Sequence, residues 1–127
     1  MISRRSIVIS AMATLLAPMP AFARSSFSDA AFTSAAKSGR PVLIEFHADW
    51  CPTCRAQEKV VNALVLNPAY SNVVVLRVLF DSQKNQLKRF RVRQQSTLIM
   101  FKNGEEMARA VGMTSAEDIA ELLKTAE

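Results

Sequence analysis

The feature that most constrains this chain is the segment Trp50-Cys51-Pro52-Thr53-Cys54, which contains both of its cysteines. A strand-like apolar run precedes this segment, and a helix-like pattern begins directly after it. A Cys-x-x-Cys pair placed between a strand and a helix is typical of redox-active dithiols. The sequence therefore predicts thiol–disulfide exchange.

The attacking species in such exchange is the thiolate, and an unperturbed cysteine, with a pKa of about 8.5, is mostly protonated near neutral pH. A helix N-terminus stabilises an anion through its unpaired N–H groups and its partial positive charge. Cys51 lies at or next to that terminus and is the predicted nucleophile. Cys54, one turn further along, is the predicted resolving thiol.

The cysteine pair has two other interpretations. A purely structural disulfide is disfavoured because two intervening residues close too short a loop to stabilise much. A metal site would draw on Cys51, Cys54 and His47, yet the chain has no second Cys-x-x-Cys or histidine pair to complete a zinc site. We expect no bound metal or other cofactor besides the redox-active cysteine pair, and keep a soft-metal module that delivers copper as the alternative function.

The N-terminal segment has the pattern of a signal peptide. Arg4-Arg5 form a basic region, residues 7–17 an apolar core, and Ala21-Phe22-Ala23 a cleavage motif. The apolar core is too short for a permanent membrane anchor. We therefore expect a signal peptide at 1–23, of general or twin-arginine type, and a mature domain at 24–127 in an oxidising compartment such as a bacterial periplasm.

The composition predicts one globular domain and excludes some partners. Half of the 127 residues are hydrophobic, and the formal net charge is +5. The basic residues between 84 and 93 resemble the solvated face of a helix and have only Phe90 as a nearby aromatic partner. We expect no nucleic-acid binding, and a monomer.

Hydrophobic periodicity predicts eight elements in the order helix, strand, helix, strand, helix, strand, strand, helix. Asn103-Gly104 predicts a hairpin between the last two strands. The first predicted helix lies within the segment 25–38 and is capped by Ser28. The next helices cover 53–66, 82–90 with a cap at Asp81, and a segment beginning near 114, and the predicted strands cover 42–47, 73–80, 97–102 and 105–111.

Two segments together resemble the thioredoxin family. The first reads PVLIEFHADWCPTC from Pro41 to Cys54, and the second is Val92-Arg93 followed by TLIMFKNG from 97 to 104. The resemblance covers nearly all of the mature domain. It implies an α/β thioredoxin fold, with a four-stranded mixed sheet flanked by helices. It also implies a sheet order of second, first, third and fourth strand, with the 42–47 strand inside.

The resemblance also implies a role for Glu45, which stands where the family places a buried acid, usually aspartate. In that role the carboxylate accepts the proton of Cys54 as the mixed disulfide breaks. The alternative is that the longer glutamate side chain reaches solvent or pairs with Arg77. The sequence leaves both open.

By the same resemblance, Trp50, Pro52 and Thr53 belong to the surface that docks substrates. His47 stands where the family often has an aromatic residue. It is either a residue that tunes the Cys51 thiolate or an ordinary structural histidine.

The clearest departure from the family lies before Thr97. The family has a cis-proline there, facing the dithiol, whereas this chain has Ser96 and no proline after Pro68. A cis bond before serine costs about 3 kcal/mol, so the Gln95–Ser96 bond is either trans or held cis by its surroundings. The family pairs client backbone with the residue before that proline, which is Gln95 here, and the alternative is that the Ser96 hydroxyl bonds the Cys51 sulfur or a bound ion. Gln95 and Ser96 are therefore the predicted docking residues on this side.

Short matches indicate the direction of the reaction. Glu58 and the Ala48-Asp49-Trp50 lead-in resemble the thioredoxin-like domain of the membrane-embedded disulfide reductase. The Cys-Pro-Thr-Cys motif resembles the thioredoxin-like proteins of cytochrome c maturation. Because both are reductants, we expect an exported protein-disulfide reductase whose partners are exported proteins and a membrane electron donor.

Overall fold

The computed structural model describes Ala13 and residues 24–127. The predicted signal peptide and its cleavage site, apart from Ala13, lie outside the described residues. Within the described part of the chain, no helix is both long enough and apolar enough to span a membrane.

The chain alternates short strands and helices, and one 14-residue helix begins at the cysteine motif. A 3₁₀ turn, Pro68–Tyr70, links that helix to the next strand. The strands are β1 (Ser25–Ser26), β2 (Val42–His47), β3 (Val74–Leu79), β4 (Thr97–Lys102) and β5 (Glu105–Val111), and the helices are α1 (Asp29–Lys37), α2 (Pro52–Val65), α3 (Lys84–Arg89) and α4 (Ala116–Lys124).

The strands form one mixed sheet in the order β1-β3-β2-β4-β5. Strand β2 runs parallel to β3 and antiparallel to β4, and all six of its residues are buried. Its nearly continuous apolar sequence suits a strand covered on both faces. The predicted fold and the predicted order of the four main strands are confirmed.

The sheet has five strands rather than the four predicted. Ser25 and Ser26 pair in parallel with Leu76 and Arg77 of β3, and α1 begins only at Asp29, capped by Ser28 as predicted. The sequence predicted the cap at Ser28 but no strand before it. Two exposed serines have no hydrophobic alternation that would predict a strand. They form one because the edge of β3 offers backbone groups with which they pair.

The predicted cap of α3 was also wrong. The helix begins at Lys84, and Gln83 is its N-cap without a side-chain capping bond. The carboxylate of Asp81 instead accepts a hydrogen bond from the Trp50 indole at 2.8 Å. Because Asp81 bonds Trp50, 31 residues away in sequence, its side chain does not cap α3 as local capping rules predict.

The two faces of the sheet carry separate cores because side chains alternate along each strand. One core lies on the side of α1 and α3, and the other on the side of α2 and α4. Ile44 and Phe46 of β2 belong to the first, and Leu43 belongs to the second. By this alternation Glu45 and His47 point to the α2 side, where the cysteines lie.

Candidate active site

The site is built around the N-terminus of α2. Cys51 is the N-cap, in an extended conformation, and its sulfur accepts a hydrogen bond from the Cys54 backbone N–H at 3.1 Å. Pro52 occupies the first turn, where a missing N–H costs no helical hydrogen bond. The free N–H groups and the positive end of the helix dipole are thus directed at the Cys51 sulfur.

Cys54 lies one turn inside the helix, and each cysteine is only 2% exposed. Burial, followed by a hydrogen bond with Cys51, raises the pKa of the Cys54 thiol to about 11. Backbone hydrogen bonds from Ala48 and Ser96 act against this increase. Cys54 therefore stays protonated at neutral pH, as befits a thiol that acts only after the first exchange step.

The predicted docking residues on α2 and its lead-in lie around the dithiol. Trp50 is 59% exposed, with its indole N–H held by Asp81, while Pro52 is exposed and Thr53 is half-buried. An exposed indole fixed by a hydrogen bond offers a rigid apolar contact surface.

Ser96 lies beside the dithiol in an unusual conformation. The Gln95–Ser96 bond is trans, since the described residues contain no cis peptide bond, and the φ angle of Ser96 is 59°. This left-handed region disfavours residues that have a Cβ atom. Ser96 is 7% exposed and Gln95 is half-buried. The loop that holds a cis-proline in the family therefore follows a different backbone path here.

Sequence reasoning missed Gln57, which is in contact with this loop. Its side-chain amide donates to the Ser96 carbonyl at 3.0 Å, although Gln57 is only 4% exposed. The available signal was a polar residue three positions after Cys54, on the helix face that turns towards the sheet.

Glu45 lies in a cluster of charges beneath α2. Arg24 binds both of its carboxylate oxygens, at 2.5 and 2.8 Å, and Arg77 binds one at 3.3 Å. Glu58 lies 3.5 Å from each of these two arginines, and Arg24 also donates to Asn62 at 2.8 Å. The pairing with Arg77 was an open alternative in the sequence, whereas the larger contribution of Arg24 was missed.

His47 is buried, and its Nε2 atom lies 3.0 Å from the carboxylate of Asp49. The partner of this ring nitrogen is therefore a carboxylate in the lead-in to the dithiol rather than the Cys51 sulfur.

The described residues contain no group of three or more His, Cys, Asp or Glu side chains placed to hold a metal ion. The three candidate ligands named from the sequence, His47, Cys51 and Cys54, are thus not brought together as a ligand set.

Comparison with known proteins agrees with this geometry. The thioredoxin family model matches residues 24–125. The thioredoxin of Chlamydia trachomatis is 34% identical over 82 residues, covering 65% of this chain and 78% of that protein. The thioredoxin of Mycobacterium bovis is 33% identical over 86 residues, covering 67% of this chain and 73% of that protein.

Among solved structures, Trxlp from Edwardsiella tarda is 46% identical, with a TM-score of 0.77 over 80% of this chain and 98% of that one. The fold and the dithiol at a helix N-terminus define a thiol–disulfide oxidoreductase of the thioredoxin-like class. The chain belongs to the thioredoxin family.

Proposed function

We propose that this protein is an exported protein-disulfide reductase that uses Cys51 and Cys54. The observation that carries the proposal is the position of Cys51 as N-cap of α2, with its sulfur accepting the Cys54 amide N–H at 3.1 Å. This geometry directs the N-terminus of α2 at the Cys51 sulfur and keeps the second thiol one turn away.

The reaction consists of two exchanges. The Cys51 thiolate attacks one sulfur of the client disulfide, forming a mixed disulfide and releasing the other client sulfur as a thiolate, which takes up a proton. Cys54 then loses its proton and attacks the Cys51 sulfur, which forms the Cys51–Cys54 disulfide and releases the second client thiol. The client gains two electrons and two protons, and the dithiol is oxidised.

Glu45 is the proposed acceptor of the Cys54 proton. It is a buried carboxylate on the face of β2 that is covered by α2. Arg24 and Arg77 bind its carboxylate and hold it in place beneath α2. If Glu45→Gln leaves the reduction rate unaltered across neutral pH, Glu45 has no such role.

The direction proposed, reduction, is supported by short sequence matches. Glu58, the Ala48-Asp49-Trp50 lead-in and the Cys-Pro-Thr-Cys motif resemble thioredoxin-like reductants.

The docking surface and the compartment complete the proposal. A client would lie over Trp50, Pro52 and Thr53 and extend its backbone along Gln95 and Ser96. The signal-like sequence at 1–23 supports export to the periplasm. A reductant in an oxidising compartment needs a membrane electron donor to regenerate its dithiol, and the protein would act as a monomer.

Equilibration of residues 24–127 with glutathione buffers tests the proposal, because it measures the reduction potential. A value near about −270 mV supports a reductant, and one near about −120 mV would identify an oxidant. A Cys51→Ser variant is the control without a nucleophile. Failure to exchange with any dithiol, together with stoichiometric retention of copper, would replace the proposal by copper delivery.

A further inference from the structure

The client-docking loop, residues 94–97, is tied to three elements through one residue. The Ser96 N–H donates to the Phe46 carbonyl in β2 at 2.9 Å. The Ser96 carbonyl accepts from Gly112, directly after β5, at 3.0 Å, and from the Gln57 side chain at 3.0 Å. The conformation of this loop thus depends on contacts from β2, α2 and the end of β5.

We propose that Gln57 is a positioning residue that holds the client-docking loop against the dithiol helix, in the place of the family's cis-proline. The inference rests on the proposed function, because it concerns how a client disulfide is placed before Cys51. It adds a residue to which neither the motif nor the family resemblance assigns a role.

The Ser96 peptide has a conformation that its surroundings must stabilise. A serine with a φ angle of 59° persists only where its surroundings compensate for the strain. The residue is 7% exposed, so its polar backbone groups need partners within the protein. A proline at this position could not donate to Phe46, and its ring fixes φ near −65°. The hydrogen-bonding pattern seen here is therefore specific to a residue other than proline.

The burial of the Gln57 side chain carries a free-energy cost. A buried primary amide is unfavourable unless it is hydrogen-bonded. The neighbouring residues of α2 that face the sheet, Val61 and Val65, are apolar. A polar side chain on this face is thus explained by the partner it finds, the Ser96 carbonyl.

Gln57 is connected to the dithiol through α2. Gln57 lies three residues after Cys54 and so projects from the same side of α2. One helix therefore carries both the reacting thiols and the side chain that fixes the loop, so their relative position is set within a few bonds.

The test compares Gln57→Met, which keeps the approximate volume but loses the amide, with Gln83→Met. Gln83 is the control because its side chain also bonds backbone groups, Leu79 N–H at 2.8 Å and the Phe27 carbonyl at 3.4 Å, neither of which belongs to the client-docking loop. We expect Gln57→Met to raise KM for a protein disulfide such as insulin about 3- to 10-fold, the effect of one lost hydrogen bond. The kcat of Gln57→Met and its rate with oxidised glutathione should change less than about 2-fold, because neither depends on client backbone docked on the loop. The KM of Gln83→Met should also change less than about 2-fold, because Gln83 makes no contact with the loop.

A second measurement does not depend on activity. Hydrogen exchange at the Ser96 and Gly112 amides should accelerate about 10-fold or more in Gln57→Met and stay unchanged in Gln83→Met, because only the former loosens the loop. Equal exchange in the two variants would overturn the inference, as would an unchanged KM. If the wild-type protein reduces no disulfide, the proposed function is overturned instead. The hydrogen-exchange rates of the two variants then decide the role of Gln57.

A double substitution guards against a merely structural effect. If Gln57 and Ser96 act as a pair, Ser96→Pro alone should raise KM, and adding Gln57→Met should raise it by less than the product of the two single effects. Independent, multiplying effects would contradict the pairing.

Discussion

The two sides of the candidate site are built in different ways. On one side, α2 presents Cys51 through local features, with an N-cap conformation and a proline in the first turn. On the other, the client-docking loop depends on contacts from residues 39 and 50 positions away, Gln57 and Phe46. The dithiol side follows the family pattern, whereas the loop reaches its position by a path of its own. We therefore expect substitutions in the loop to change substrate docking more than the reactivity of the dithiol.

The largest expected effect lies on the dithiol side. Cys51→Ser should lower the rate of disulfide reduction at least about 1000-fold, since the nucleophile is lost. Cys54→Ser should instead accumulate a mixed disulfide with the client, visible on a non-reducing gel, because nothing resolves it. A mixed disulfide that forms through Cys54 in the Cys51→Ser variant would reverse the assigned roles.

The charge cluster under α2 should give the next largest effect, on stability. Glu45→Gln leaves Arg24 and Arg77, both largely buried, without their closest counter-charge. We expect a loss of about 3 kcal/mol in the free energy of unfolding, measured with urea. Glu58→Gln is the matched control, because its side chain is 33% exposed and lies 3.5 Å from the same arginines. An equal loss in the two variants would mean that Glu45 is not the centre of the cluster.

The pH dependence of the reduced protein should be a smaller effect on the same side. Burial raises the pKa of Cys54 to about 11, above its value in an unfolded chain. A thiol with a raised pKa contributes stability that is fully present below its unfolded pKa and is lost as the pH rises through the folded value. Between about pH 9 and pH 11, the reduced protein should therefore lose on the order of 2 kcal/mol.

Comparison with reduced Cys54→Ala isolates the contribution of the Cys54 thiol to this pH dependence. That variant has no thiol at the buried position, so its unfolding free energy should fall less steeply over the same pH range. Parallel curves for the two proteins would show that Cys54 does not titrate differently in the folded state.

The contrast between the two sides also marks what the sequence could predict. The dithiol, its helix and the four main strands follow from local patterns, because Pro52, the apolar run 42–47 and Asn103-Gly104 each restrict nearby backbone. Strand β1, the contacts of Arg24 and the bond from Gln57 to Ser96 depend on elements distant in sequence. No local pattern specifies them. The absence of the family's proline can be identified from the sequence. The trans Gln95–Ser96 bond and the hydrogen bond from Gln57 to Ser96 cannot.

The smallest expected effect sharpens the comparison on the loop side. Ser96→Gly keeps the backbone N–H and C=O that bond Phe46, Gly112 and Gln57, and relieves a φ angle of 59°. A left-handed residue with a Cβ atom costs about 1–2 kcal/mol, and the greater freedom of unfolded glycine offsets about 0.5–1 kcal/mol of that gain. The unfolding free energy should thus rise by less than about 1 kcal/mol, whereas Ser96→Ala should show no such gain. If the peptide group rather than the hydroxyl positions the client, KM for Ser96→Gly will lie nearer the wild-type value than that for Ser96→Pro. A KM as high as that of Ser96→Pro would assign the docking role to the serine side chain instead.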